Sequence, residues 1–152
     1  MGDVVNRLDN GNEQQPTACS ANGIRSFTER MMLDGGSNCT FSFRSQLFDV
    51  GASSSSRGSI GGIASGLSYS HIVTAGATFG GASKEPSVNM SLLFTPNGCK
   101  SIVSESILLD EYGIEVNKKK MACIHPCGTR TPIHRERGLF YADITFSAPL
   151  SD

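Results

Sequence analysis

The stretch that most constrains the fold is 138–149, which reads GLFYADITFSAP. From Phe140 to Ala148 the even positions are apolar, and the odd positions carry Tyr, Asp, Thr and Ser. Alternation with a period of two over this length is typical of a strand with one buried face and one exposed face. A strand this regular needs a neighbour to pair with. The chain is therefore predicted to be organised around a sheet.

Composition and further alternating stretches extend this prediction to an all-β chain. Seventeen glycines, six prolines and no tryptophan indicate many turns and few long helices. Strands are predicted at 67–79, 88–94, 102–109 and 114–122, and a hairpin pairs 24–33 with 38–50. Residues 51–66 read as a low-complexity connection, and 1–22 as a polar N-terminal arm. We predict one two-sheet antiparallel β-sandwich domain over residues 23–152.

The chain contains few charged residues, so its surface is expected to be poor in charge. Only 18% of residues are charged and the net charge is −1, so bulk electrostatics favour neither nucleic acid nor membrane as a partner. No apolar run approaches membrane-spanning length, and no membrane partner is predicted. A surface poor in charge suits a protein covered by neighbours, although a merely polar surface is an equal alternative. No phosphate-binding glycine motif or nucleophile system is recognisable, so we predict that the protein is not an enzyme.

A local cluster of basic residues near the C-terminus is the best candidate for contact with nucleic acid. Ammonium and guanidinium groups neutralise phosphates whatever the base sequence. The alternative is a solvated face, and Glu136 lies between two of the arginines. The cluster consists of Lys118, Lys119, Lys120, Arg130, Arg135 and Arg137.

Two groups of side chains carry metal-ligand chemistry. Cys123, His125, Cys127 and His134 offer the thiolate and imidazole ligands that zinc prefers. Along one strand face the first three would be about 7 Å apart, so they converge only if Pro126 and Gly128 bend the chain. Buried thiols beside a loop histidine are the simpler interpretation.

The second group is the acidic pair Asp110 and Glu111, which follows an apolar stretch. Carboxylate oxygens are the ligands that calcium prefers, and this pair could join carboxylates of a neighbouring subunit around the ion. The alternative is a simple turn. Apart from such calcium at subunit interfaces, no cofactor is predicted.

The closing stretch 138–149 resembles the last strand of the capsid, or coat, proteins of small icosahedral plant RNA viruses and their satellites. In that family a glycine, an alternating strand bearing aromatics and a short Ser/Ala-Pro tail close the jelly roll. Ser70–Phe79 followed by Val88–Thr95 resembles the central long strand and its successor. The paired stretches within 24–48 lie where the first strands would be.

The resemblance implies an eight-stranded jelly roll that self-assembles as a symmetric homo-oligomer into an icosahedral shell around a genome. It implies a virion component assembled in the host cytoplasm, with the chain itself and genomic RNA as partners. The sequence departs from the family in its arm, where Arg7 is the single basic residue of 1–22.

On the last strand the even positions Phe140, Ile144 and Phe146 are then predicted to be core. The odd positions Tyr141, Asp143 and Thr145 become candidates for a subunit contact. The alternative function is a ligand- or glycan-binding β-sandwich module that uses loop residues of 51–66.

Overall fold

The computed structural model describes residues 17–21, 24–61, 66–80 and 86–151, and it is mainly β, as predicted. Its helices are α1 (Leu47–Val50) and α2 (Glu105–Tyr112). Its strands are β1 (Thr17–Ala21), β2 (Ile24–Asp34), β3 (Phe41–Ser42), β4 (Ala52–Ile60), β5 (Leu67–Phe79), β6 (Ser87–Phe94), β7 (Ile102–Ser104), β8 (Glu115–Asn117), β9 (Ala122–Ile124), β10 (Arg130–Pro132), β11 (His134–Glu136) and β12 (Leu139–Ser147).

Six strands form a closed ring in which each strand pairs with its two neighbours. β12 pairs with β2 along Phe140–Ser147 and, on its other edge, with β5 along Ile144–Ser147. The ring continues from β5 through β6, β3 and β7 and returns to β2. β1, β4 and β11 extend it at β2, β5 and β12. A second, small sheet has the order β10-β9-β8.

The prediction of purely antiparallel pairing in two facing sheets is wrong. The β2–β7 and β3–β6 pairings are parallel, and the strands of the ring belong to one mixed sheet. Parallel neighbours are joined by long crossovers, not by hairpins. Alternation in the sequence reports which residues face the core, whereas it carries no information about which distant strand lies alongside.

The predicted hairpin of 24–33 with 38–50 is also wrong in its second half. β2 is present, but its partners are β1, β12 and β7. Beyond β3 the chain turns into α1, which buries Leu47 and Val50, three residues apart, on one face. In the sequence, the apolar residues Leu47, Phe48 and Val50 no longer alternate, which fits the change from a strand to a helix.

Three further segments differ from the sequence prediction. Ala52–Ile60, predicted as a connection, is strand β4, because the long strand β5 offers it a backbone partner. Of the predicted strand 102–109, only 102–104 is extended, and α2 follows. The Ser104 Oγ accepts the Ile107 N–H at 3.2 Å as the N-cap, and Gly113 (φ 69°) ends the helix in the left-handed conformation. The predicted strand 114–122 is instead β8 and β9, separated by a turn.

The predicted arm, 1–22, lies mostly outside the described residues, but Thr17–Ala21 forms β1 against β2. No helix in the described segments is long and apolar enough to cross a membrane.

The main core fills the inside of the ring. Ile144 and Phe146 are fully buried and Phe140 is partly buried, which confirms the predicted core face of β12. The Phe146 ring packs against Phe27 of β2 with centroids 5.5 Å apart. A second, smaller apolar cluster is formed by Phe41, Ile60 and Ile102. Since Ile102 alternates with the core residue Val103 on β7, this cluster lies outside the ring.

Candidate functional site

The outer face of β12, predicted as a subunit contact, is held by hydrogen bonds within the chain. The Arg30 guanidinium donates to both carboxylate oxygens of Asp143, from Nε at 2.8 Å and from Nη2 at 3.0 Å. These hydrogen bonds lower the pKa of Asp143, and the positive charge of Arg30 adds to the effect. The hydroxyls of Thr145 and Thr28 are 2.7 Å apart. Tyr141 is half-buried and lies opposite Met32 and His134. A contact of these residues with another subunit stays a prediction.

The structure brings part of the predicted basic cluster together around one aromatic ring. The Lys118 Nζ lies 5.1 Å from the centroid of Phe140, and the Arg135 guanidinium carbon lies 5.6 Å from it. Lys118 also forms an ion pair with Glu105 at 2.9 Å, so its charge is partly neutralised. Phosphate binding by the cluster stays a prediction.

The remaining members of the cluster lie on turns and on the second sheet. Lys119 and Lys120 are exposed in the turn between β8 and β9. Arg137 is exposed in the turn before β12, with φ 52°, and Arg130 is exposed on β10.

The four predicted zinc ligands are not assembled into a metal site. Cys123 is buried, and burial is the main cause that raises its pKa to about 12, so it stays a neutral thiol near pH 7. The His125 Nε2 lies 2.9 Å from the Thr131 Oγ1, whereas Cys127 is exposed. The His134 Nε2 lies 3.3 Å from the Asp143 Oδ2. Cys123 is thus buried in β9, whereas Cys127 lies beyond the end of that strand and faces solvent.

The predicted calcium pair lies on a helix, not on a turn after a strand. Asp110 and Glu111 are consecutive exposed residues near the end of α2, where they point away from each other. Within the described ranges, no group of three or more His, Cys, Asp or Glu side chains is arranged to hold a metal ion.

A buried polar cluster inside the ring is absent from the sequence prediction. Glu29 shares the inward phase of β2 with Phe27 and Met31 and is 5% exposed, which makes it a core carboxyl group. Its carboxylate accepts hydrogen bonds from the hydroxyls of Ser42 and Ser101 and from the Arg44 Nε at 3.2 Å. Burial is the main cause that raises the pKa of Glu29, and the three donors oppose it. The signal in the sequence was a charged residue at an alternating core position.

The outer side of β4, β5 and β6 is a surface almost without charge. Arg57 is the single Lys, Arg, Asp or Glu residue in these three strands. Hydroxyl side chains pair across the strands, with Thr74 and Ser91 Oγ atoms 3.2 Å apart and Thr78 and Ser87 Oγ atoms 2.6 Å apart. We call this surface the hydroxyl face.

The hydroxyl face ends in an open strand edge. β4 pairs with β5 along one edge, and no other described strand pairs with it. Its serines from Ser53 to Ser55 are exposed. A bulge between Ser55 and Gly58 interrupts the register, where Gly58 leaves room for the Tyr69 ring.

Comparison of the chain with protein-family models, with curated proteins and with solved structures found no match.

Proposed function

We propose that the chain is a non-catalytic structural subunit that self-assembles, and that the assembly is an icosahedral viral shell around a genome. The observation that carries the proposal is the hydroxyl face with its open β4 edge. Low overall charge in the sequence, 18%, thus corresponds to a defined surface of the fold.

The chemistry of this surface favours contact with a protein. Burying it removes almost no charge from water, and burial of unpaired charge is the largest desolvation cost of an interface. Ser and Thr side chains lose little rotamer entropy when covered. The hydroxyls of Thr74 and Ser91 already pair, as do those of Thr78 and Ser87. Covering them therefore leaves few polar atoms without a hydrogen-bond partner. The outer edge of β4 has no strand partner among the described residues, so its N–H and C=O groups offer a template for pairing with another copy.

The viral part of the proposal is supported by the resemblance of 138–149 to the closing strand of small plant virus capsids. The parallel β2–β7 and β3–β6 pairings depart from the jelly roll that this resemblance implies. A role of Tyr141, Asp143 and Thr145 at a further subunit contact belongs to the same proposal.

The oligomeric state tests the proposal. Light scattering after size-exclusion chromatography, with negative-stain microscopy, is expected to show closed particles of the wild-type chain. Ser54→Lys places a charge on the exposed surface of β4 and is expected to shift the chain toward monomer. Ser106→Lys makes the same change on the exposed surface of α2 and serves as the matched control. A 16.1 kDa monomer at every salt concentration and pH would overturn self-assembly, and filaments or dimers alone would overturn the shell.

RNA is proposed as the partner of the basic cluster. Lys119→Ala with Lys120→Ala removes two exposed charges from the turn after β8. If both contact phosphates, the slope of log affinity against log salt for single-stranded RNA falls by about 1.4. Arg25→Ala, which removes a cation paired with Asp49 at 3.9 Å, is the control. An unchanged slope in the double variant would show that the turn is a solvated face.

A further inference from the structure

A cavity of about 750 Å³ opens on the outer side of the ring. Its volume falls within the range of small-molecule sites, roughly 300–1,000 Å³. The cavity lies where the second apolar cluster meets the end of β4, the start of β5 and the loop before β7.

Part of the cavity wall is apolar. Phe41, Ile60 and Ile102 are buried and belong to the second apolar cluster, so they are held in place by packing. Leu139 is 48% exposed, the kind of apolar surface that a bound molecule would remove from water. The apolar side chains that line the cavity are Met32, Phe41, Ile60, Leu67, Ile102 and Leu139.

One rim of the cavity is fixed by the Asn97 side chain. Its Oδ1 accepts the Ser68 N–H and its Nδ2 donates to the Gly66 carbonyl, each at 3.4 Å. At Gly98 a Cβ would lie 2.8 Å from the Thr95 Oγ1, so glycine lets the loop pack closely against β5 and β6.

The other rim is fixed by hydrogen bonds of the segment after β2. The Ser104 Oγ donates to the Ser37 carbonyl at 2.6 Å, and the Gly36 N–H donates to the Asp34 Oδ1 at 2.8 Å. With both rims held by hydrogen bonds, the cavity is formed in advance of any ligand, which reduces the entropy cost of binding.

The charged groups at the cavity indicate the sign of a ligand. In the segments that the structure describes, the exposed ammonium of Lys100 has no ion-pair partner. The opposite charge, the Asp34 carboxylate, accepts the Gly36 N–H and so stabilises the turn. The cavity thus carries one carboxylate and one cation, and the Lys100 ammonium is the one left to pair with an acidic group.

We propose that this cavity binds a small amphipathic acid, with its aliphatic body against Phe41, Ile60 and Ile102 and its anionic head at Lys100. The site is independent of self-assembly, and it gives the ligand-binding alternative a defined place. Ile60 and Gly61 come from the stretch 51–66 that the sequence singled out for that alternative.

The test is calorimetric titration of the full chain with decanoate at pH 7, which is expected to show saturable binding of one molecule per chain. Gly61→Trp should lower the affinity at least tenfold, because Gly61 lines the cavity and a Cβ there meets no heavy atom within 4 Å. Ser59→Trp adds the same side chain at an exposed position outside the lining and should leave the affinity unchanged.

The anionic head group of the ligand is tested by removing the charge of Lys100. Lys100→Met should weaken decanoate about threefold, as expected for a partly exposed ion pair, and should leave decanol binding unchanged. Arg25→Met, which removes an exposed cation outside the lining, is the control. Absence of saturable decanoate binding, or equal affinities for Gly61→Trp and wild type, overturns the site. An equal effect of Lys100→Met on decanoate and decanol overturns the acidic head.

Discussion

Arg44 reaches into the closed ring and pairs with Glu29, its Nε lying 3.2 Å from the Glu29 Oε2. The side chains are 13% and 4% exposed, so both charges are largely removed from water. Ser42 and Ser101, whose Oγ atoms are 2.8 Å apart, complete the cluster as donors to the carboxylate. The Arg44 Nη1 is buried and has no hydrogen-bond partner among the described residues. The cluster therefore stabilises the fold only as long as both charges are present.

The first prediction is a strong coupling between these two residues. Glu29→Gln leaves a buried guanidinium unpaired and Arg44→Met leaves a buried carboxylate unpaired, and each is expected to lower the free energy of unfolding by about 3 kcal/mol. Glu29→Gln with Arg44→Met leaves no buried charge and is expected to cost no more than one single change. Urea denaturation of the four proteins measures the coupling. Additive effects would mean that the residues act independently.

The second prediction concerns acid. Arg30 holds the pKa of Asp143 below its usual value, so the folded state binds a proton there more weakly than the unfolded state. The stabilisation is therefore fully present above the unfolded pKa of about 3.9 and is lost as pH falls through the lower folded pKa. For a surface pair it amounts to about 1 kcal/mol.

Denaturation of wild type and Asp143→Asn between pH 7 and pH 2.5 checks this. The difference in unfolding free energy should shrink toward zero at the acid end. Asp110→Asn, at an exposed position of α2, should run parallel to wild type throughout. A constant gap between wild type and Asp143→Asn would contradict the prediction.

The third prediction separates the two faces of β12. Ile144 is fully buried between β2 and β5, and Ile144→Asp places an unpaired carboxylate in the core at a cost above about 4 kcal/mol. The variant is expected not to fold. Tyr141→Ala, on the outer face, should keep the strand signal in circular dichroism and weaken association. Equal loss of folding in both variants would disprove this division.

The fourth prediction is selective reactivity of thiols. Burial keeps Cys123 protonated, whereas Cys127 is exposed and its hydrogen bond with Thr129, 3.2 Å between Sγ and Oγ1, lowers its pKa. Iodoacetamide at pH 7.5 should therefore modify Cys127 well before Cys123, as followed by peptide mass spectrometry. In 6 M urea both should react at similar rates. Rapid labelling of native Cys123 would mean that the second sheet opens readily.

The sequence predicts local features of this fold better than long-range ones. The alternating stretches of β5, β6 and β12 were recognisable because side-chain period depends only on the chain itself. Pairing depends on distant segments, so the parallel β2–β7 contact had no local signal. Helix α2 was missed because an apolar run hid the Ser104 and Gly113 caps.

The candidate sites were also hard to predict where their residues come from distant segments. Lys118 and Arg135 are 17 positions apart, and they share the Phe140 ring because β11 pairs with β12 and the β8–β9 turn lies beside it. Glu29 was recognisable by its phase, but its partners come from two other segments, Ser42 and Arg44 from one and Ser101 from the other. The cavity is built from strand ends and loops that no spacing rule connects.

The place of β12 in the ring has a consequence for biosynthesis. β2 and β5 are translated long before residues 139–147, yet β12 pairs with both of them. Until those residues leave the ribosome, the edges of β2 and β5 that pair with β12 stay unpaired and the ring stays open. The ring can therefore close only after β12 has been synthesised. We expect a nascent chain stalled before Leu139 to be protease-sensitive and to need chaperone protection. Contacts between segments this far apart in sequence form slowly, so the exposed state lasts longer.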